Sequence, residues 1–85
     1  MENRVALIGI VVEDMESTEK INAVLHEYNK YLIGRFGIPY RERGIAIISI
    51  VVDASNDVIS SLSGKLGMIK GTNVSTAYSK ISKSN

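Results

Sequence analysis

The sequence predicts an α+β fold of the order β-α-β-β-α-β, and two patterns support this prediction. Val5–Glu13 and Gly44–Asp53 are rich in β-branched residues and carry apolar side chains at both odd and even positions. Because alternate side chains of a strand point to opposite faces, both runs predict strands that are covered on both sides. Each run is followed by a segment with apolar residues at helical spacing. A chain of 85 residues has the length of one domain.

The first helix is predicted at about residues 16–30. Asp14 is a suitable N-cap, because its carboxylate can accept a hydrogen bond from a free N–H group of the first turn. Glu16 and Glu19 place negative charge near the positive end of the helix dipole. The apolar positions that predict the helix are spaced i, i+3, i+4 and i+7: Ile21, Val24, Leu25 and Tyr28.

The second strand is predicted over Ile33–Arg43, at an edge of the sheet. Pro39 has no N–H to donate to a neighbouring strand, and an edge tolerates that loss. Gly44 can adopt a positive φ and so permits a turn into the third strand.

The second helix and the last strand complete the order. After a turn and cap cluster at Ala54–Asp57, apolar residues recur at helical spacing as far as Gly67, a typical helix C-terminal residue. The last strand is predicted over Val74–Ile81, where several Ser and Lys residues suit the second edge. Residues 82–85 are predicted to be a frayed tail, so the single domain covers residues 1–81.

With right-handed connections, this order gives a ferredoxin-like fold, a four-stranded antiparallel sheet with two helices on one face. Two helices leave the other face open, with six aliphatic side chains on it if the helices cover the opposite parity. Such a patch is larger than a soluble monomer usually exposes. We therefore predict a homo-oligomer, a dimer or a tetramer, that packs sheet on sheet. The side chains on the open side are either the odd-numbered set of these two strands or, as the alternative, the set of opposite parity. The odd-numbered set is Val5, Leu7, Val11, Ile45, Ile47 and Val51.

Composition argues against several classes of function. The chain has no Cys, and hence no disulfide, thiolate nucleophile or soft metal site. A net charge of +1 gives no strong field toward nucleic acid or a membrane. No apolar run approaches the roughly 20 residues that span a bilayer, and no signal-peptide pattern is present, so we expect a cytoplasmic protein. His26 lies away from the apolar stripe of its helix and should face solvent, so no metal and no cofactor are expected.

No residue pair in the sequence suggests catalysis, and we expect no enzyme. Arg35, Arg41 and Arg43 with Phe36 and Tyr40 could form a basic aromatic edge for RNA. Strand alternation, however, places the charges and the rings on different faces, unlike a stacking platform. Direct binding of nucleic acid is therefore not expected, and a partner protein would supply any contact with DNA.

Three stretches carry a more specific pattern: Leu32–Glu42, which contains Arg-x-Gly-x-Pro, Ala46–Ile48, and Leu62–Gly67, which reads Leu-Ser-Gly-Lys-Leu-Gly. They resemble the family of small iron-only hydrogenase system regulators over nearly the whole chain. The resemblance implies an ACT-like version of the fold, akin to the ligand-sensing domain of nickel-responsive repressors. It also implies a stand-alone regulatory protein that assembles as dimers or tetramers. The family label suggests that the protein regulates transcription. A nickel site of that kind needs several His residues, which this chain lacks.

We predict that the chain senses a small ligand between subunits, beside the second strand and the C-terminal end of the second helix. Glycines there let backbone approach a ligand closely, Arg35 offers a planar fork for a carboxylate, and Pro39 stiffens the edge. The alternative is a structural or adaptor homo-oligomer that binds a partner protein and no ligand. The predicted ligand-binding residues are Arg35, Gly37, Pro39, Tyr40, Gly64 and Lys65.

Overall fold

The computed structural model describes residues 3–79 and contains the predicted strands and helices in the predicted order. Short 3-10 turns at 15–17, 29–31 and 41–43 connect some of them. The bounds are β1 Asn3–Val12, α1 Thr18–Glu27, β2 Leu32–Tyr40, β3 Ile45–Ser55, α2 Asn56–Gly67 and β4 Thr72–Tyr78.

The four strands form one sheet in the order β2-β3-β1-β4, and every neighbouring pair is antiparallel. β1 and β3 are central and pair from Asn3 opposite Ser55 to Val12 opposite Ala46. β2 and β4 are the edges. This is the ferredoxin-like arrangement that the sequence predicts, and its central strands are the two runs with apolar residues on both faces.

Both helices cover the same face of the sheet. On β1 and β3 the even-numbered residues from 6 to 12 and from 46 to 54 are buried beneath them. The helices contribute the apolar positions that are spaced one turn apart, which places them in the same core. The fully buried helix residues are Ile21, Leu25, Ile59, Leu62 and Leu66.

The first helix is shorter than predicted. The structure divides the predicted segment 16–30, because Met15–Ser17 is a 3-10 turn that precedes α1. Asp14 caps this turn, since its side chain accepts a hydrogen bond from the Glu16 N–H at 3.0 Å. Tyr28 follows α1 with a ψ of 17°, outside the helical region, and a further 3-10 turn leads into β2.

The second strand ends earlier than predicted, at Tyr40 rather than Arg43. Arg41–Arg43 form a 3-10 turn that closes on Gly44, whose φ of 67° confirms the predicted need for glycine. Arg41 and Arg43 therefore do not follow the strand alternation that the sequence argument on RNA assumed.

The last strand is displaced relative to its prediction. It begins at Thr72 and ends at Tyr78 instead of covering Val74–Ile81. Residues 80 and 81 and the predicted tail at 82–85 lie outside the described residues. The single-domain boundary at residue 81 stays a prediction.

The β1–α1 and α2–β4 connections meet at one end of the sheet. Gly71 has a φ of 74° and accepts a hydrogen bond from the Glu13 N–H at 2.6 Å. A Cβ at Gly71 would lie 2.5 Å from the Cβ of Asp14, so this contact excludes a side chain. Ser17 is buried and donates its hydroxyl to the carbonyl of Lys70 at 2.6 Å. These bonds tie the β1–α1 connection, including the 3-10 turn before α1, to the α2–β4 connection.

Candidate functional site

Within residues 3–79, nothing covers the sheet face opposite the helices, and we call it the open face. Large apolar side chains on β2, β3 and β1 point to it, including Leu7, which is 49% exposed, and Phe36, which is 59% exposed. On β4 the same face carries Asn73, Ser75 and Ala77, and on β3 it also carries the polar residues Ser49 and Asp53. The large apolar residues of the open face are Val5, Leu7, Val11, Phe36, Ile38, Tyr40, Ile45, Ile47 and Val51.

A groove of about 260 Å³ lies on the other side of the sheet, between α1 and β2. The start of α1 and the end of β2 form its walls, because β2 is an edge strand that no helix covers fully. Its walls combine apolar carbon with a few polar groups that could fix an orientation. Residues of its lining are Met15, Thr18, Asn22, Arg35, Pro39 and Ile48.

Arg35 is the basic residue of this groove. Its guanidinium donates a hydrogen bond to the Asn22 side-chain oxygen at 3.0 Å, which ties β2 to α1. This bond uses one of the five N–H donors of the guanidinium. The side chain is exposed, so its remaining donors can meet an oxyanion that enters the groove.

The structure brings together three of the six predicted site residues. Arg35, Gly37 and Pro39 line the groove. Tyr40 projects from the open face, because it pairs with Ile45 across the strands. The predicted residues of α2, Gly64 and Lys65, do not line the groove. A single chain therefore holds half of the predicted site.

Lys65 and Gly64 lie on α2, away from the groove. The Lys65 ammonium is 2.9 Å from a Glu27 carboxylate oxygen and lies over the Tyr28 ring, 5.2 Å from its centroid. The hydrogen-bonded carboxylate of Glu27, and then Tyr28, raise the pKa of Lys65 above its ordinary value of 10.5. Glu27 and Asn22 are five residues apart on α1, roughly 140° around the helix, so Lys65 and Arg35 contact different sides of it.

Within residues 3–79, no contact excludes a side chain at the predicted site glycines, Gly37 and Gly64. A Cβ added to Gly64 would meet nothing within 4 Å, and one added to Gly37 would make only ordinary contacts near 4 Å. Neither residue has a positive φ. Room for a ligand or a second chain therefore exists at both positions.

The sequence argument missed the contribution of β2 to the open face. Phe36, Ile38 and Tyr40 alternate with Arg35, Gly37 and Pro39, and this period of two was sufficient to place them on one face. Asn22 could not be found in the same way, because its contact with Arg35 depends on how α1 crosses β2.

His26 is exposed on α1, as predicted. Within residues 3–79, no cluster of three or more His, Cys, Asp and Glu side chains could hold a metal ion. In the same part of the chain, no helix is both long and apolar enough to cross a lipid bilayer.

Residues 4–76 match the TM1266-like family, which is described as "Iron-only hydrogenase system regulator, putative". The chain belongs to this family. The match confirms the resemblance that the sequence motifs suggested, and it supports a regulatory role.

Solved structures of other proteins are similar to this chain. Uncharacterized protein TM1266 from Thermotoga maritima is 41% identical, with a TM-score of 0.89, over 93% of this chain and 100% of that chain. The divalent ion tolerance protein CutA1 from Ehrlichia chaffeensis is 17% identical, with a TM-score of 0.51, over 98% of this chain and 87% of that chain. The second likeness is one of fold alone. No curated protein matches this chain.

Proposed function

We propose that this protein is a homo-oligomeric regulator that packs sheet against sheet and senses a small ligand at an interface between subunits. The observation that carries the proposal is the open face, where no part of residues 3–79 covers the large apolar side chains of three neighbouring strands. Membership of a regulator family supports the regulatory part.

The extent of the open face fits a protein interface. Its half-exposed aliphatic and aromatic side chains present on the order of 600 Å², at the upper end of the largest patch on a typical monomer. A standard interface covers roughly 800 Å² on each partner, of which a little over half is apolar. A second copy of the same sheet supplies a matching apolar surface, because both partners of a two-fold interface use the same patch.

The groove beside Arg35 supports the sensing part of the proposal. Its apolar walls and guanidinium suit a small molecule that has an apolar body and an anionic group. The groove is open, so a second subunit would have to close it. Because the groove lies on the helix side of the sheet, a subunit other than the sheet-to-sheet partner would close it, and Gly64 and Lys65 would come from that subunit. Tyr40 would lie in the sheet-to-sheet interface instead.

A second candidate is an adaptor oligomer that binds a partner protein and no ligand. The two basic residues of the predicted site already have partners within the chain, Arg35 with Asn22 and Lys65 with Glu27. This observation favours structural roles for both. In either case a regulator without a nucleic-acid surface of its own would act through a partner protein.

Sedimentation velocity at micromolar concentration tests the assembly. The parent protein should sediment as a dimer or larger species. Leu7→Lys places an ammonium on the open face, and burial against a second sheet would leave that charge without a partner, so this variant should be a folded monomer. Asn73→Lys adds the same charge at the polar β4 edge of the same face and should assemble normally. A parent protein that is a folded monomer would refute the proposal.

A thermal-shift screen with amino acids, nucleotides and divalent metals tests the sensing part. A compound that binds the folded state raises Tm by linkage. A complete lack of stabilisation across this panel, with assembly intact, would leave the adaptor as the function.

A further inference from the structure

Gly9 occupies a position where glycine has a cost and no evident benefit within the chain. It lies in the middle of β1, a central strand, where glycine weakens a sheet because it loses more backbone freedom and packs no side chain. Its φ is not positive. A Cβ built on it would approach only the carbonyl oxygen of Ser75, at 4.0 Å. Nothing in residues 3–79 therefore excludes a side chain at Gly9.

The position of Gly9 on the open face suggests what does exclude one. Gly9 pairs with Ser49 on β3, so two small residues lie side by side in the central strands. The next residues on the same face are large in both directions along β1, Leu7 on one side and Val11 on the other. The result is a shallow depression at the centre of the open face, with an apolar rim.

Phe36 is the most exposed aromatic side chain on this face, and it lies in the same row as the depression. It pairs with Ser49 from β2, so its Cα is two strand spacings, roughly 10 Å, from that of Gly9. No atom of Phe36 lies within 4 Å of a Cβ position on Gly9. The row of paired residues Phe36, Ser49 and Gly9 thus has a projecting ring on β2 and an unfilled depression beside it.

We propose that, in the sheet-to-sheet dimer, the Phe36 ring of each copy fills the depression at Gly9 of the other copy. This inference rests on the proposed function. A two-fold axis that lies between the two sheets, parallel to β3 and above it, exchanges the positions of β2 and β1 and so places each ring over the partner's glycine. Sheets packed in this way keep their strands nearly aligned, and their side chains interdigitate across about 10 Å.

The polarity of β4 agrees with this axis. An axis along β3 covers the three strands β2, β3 and β1 with the same three strands of the partner, and it leaves β4 outside the overlap. β4 is the strand whose side of the open face carries Asn73 and Ser75. Most residues of β2, β3 and β1 on this face are apolar, with Ser49 and Asp53 as polar exceptions on β3, whereas β4 carries two polar residues and only the small apolar residue Ala77.

Sedimentation equilibrium on the full chain tests the inference with two substitutions at the contact. Gly9→Val should leave each chain folded, since its β-branched side chain suits a strand, and should raise the dimer dissociation constant at least about tenfold by overfilling the depression. Asn73→Val is the matched control, because it adds the same side chain to the same face on β4, and its dissociation constant should stay within about threefold of the parent value. Circular dichroism checks that every variant is folded, and Gly9→Ala provides a smaller substitution if Gly9→Val does not fold.

The double variant identifies the contact. Phe36→Ala alone should weaken the dimer. In the Gly9→Val background, however, it should remove the clash between the ring and the added side chain. The fold increase in the dissociation constant of the double variant should therefore be smaller than the product of the two single increases. Losses that multiply independently, or a Gly9→Val protein that dimerises as tightly as the parent, would overturn this inference and leave the sheet-to-sheet assembly in place. A monomeric parent would instead refute the assembly itself.

Discussion

At the scale of single residues, the Arg35 guanidinium donates one hydrogen bond within residues 3–79 and has further N–H donors. Its bond with Asn22 fixes the position of the guanidinium, and a fixed fork loses less entropy when it binds an oxyanion. If the groove binds a ligand of the screened panel, Arg35→Ala should abolish the rise in Tm that this compound causes, and the unliganded oligomer should persist. Thermal shift and sedimentation of the same samples measure both effects.

Two variants separate this role from a structural one. Asn22→Ala removes the tether but keeps the guanidinium, so it should weaken the ligand effect without abolishing it. The opposite outcome is an Arg35→Ala oligomer that dissociates, while the fraction that stays assembled keeps the full ligand-induced rise in Tm. That result would show that Arg35 joins subunits instead.

The site was harder to predict than the fold because its residues depend on contacts between elements. Strand alternation places Arg35 and Pro39 on one side of β2, and the structure shows that this side forms a wall of the groove. Tyr40 has the other parity, and the structure directs it to the open face. Asn22 enters the site only through the crossing of α1 over β2, which no local pattern encodes.

At the scale of elements, substitution of two glycines should have opposite effects on stability. Gly64 lies within α2, and Gly71 lies in the connection between α2 and β4. Gly64 lies inside the helix, where alanine has the higher propensity, and a Cβ there meets nothing within 4 Å. Gly64→Ala should therefore raise the free energy of unfolding by roughly 0.5–1 kcal/mol. Gly71→Ala should lower it by more than about 1 kcal/mol, because φ is 74° and the added Cβ overlaps Asp14.

Urea unfolding of both variants measures these changes. Equal m-values would show that the denatured state is unaffected. A destabilised Gly64→Ala protein would mean that another chain or a ligand approaches α2 at this point.

Elements were predictable because their local patterns and their packing agree. β1 and β3 carry apolar residues on both faces and are central, whereas Pro39 lies on an edge, as its missing N–H requires. The bounds of α1 were less predictable. Its apolar spacing continues to Tyr28, but the backbone leaves the helix there to begin the turn into β2.

At the scale of the whole molecule, residues 3–79 build one core and leave a second apolar surface uncovered. The helices bury the even-numbered residues of β1 and β3, whereas the odd-numbered aliphatic residues of the same strands are only partly buried in a single copy. A domain of this length buries a modest fraction of its surface, so association through the open face should supply a large part of its stability.

Stability should therefore depend on protein concentration. A tenfold rise in concentration adds about 1.4 kcal/mol per dimer, or about 0.7 kcal/mol per chain. A domain of this size gains roughly 4–8 °C in Tm per kcal/mol, so Tm should rise by about 3–5 °C for each tenfold step. Leu7→Lys should unfold at a lower temperature that does not change with concentration, whereas Asn73→Lys should follow the parent. Scanning calorimetry over a hundredfold range measures these slopes, and a parent Tm that stays constant over the range would show that the open face adds nothing to the folded state through self-association.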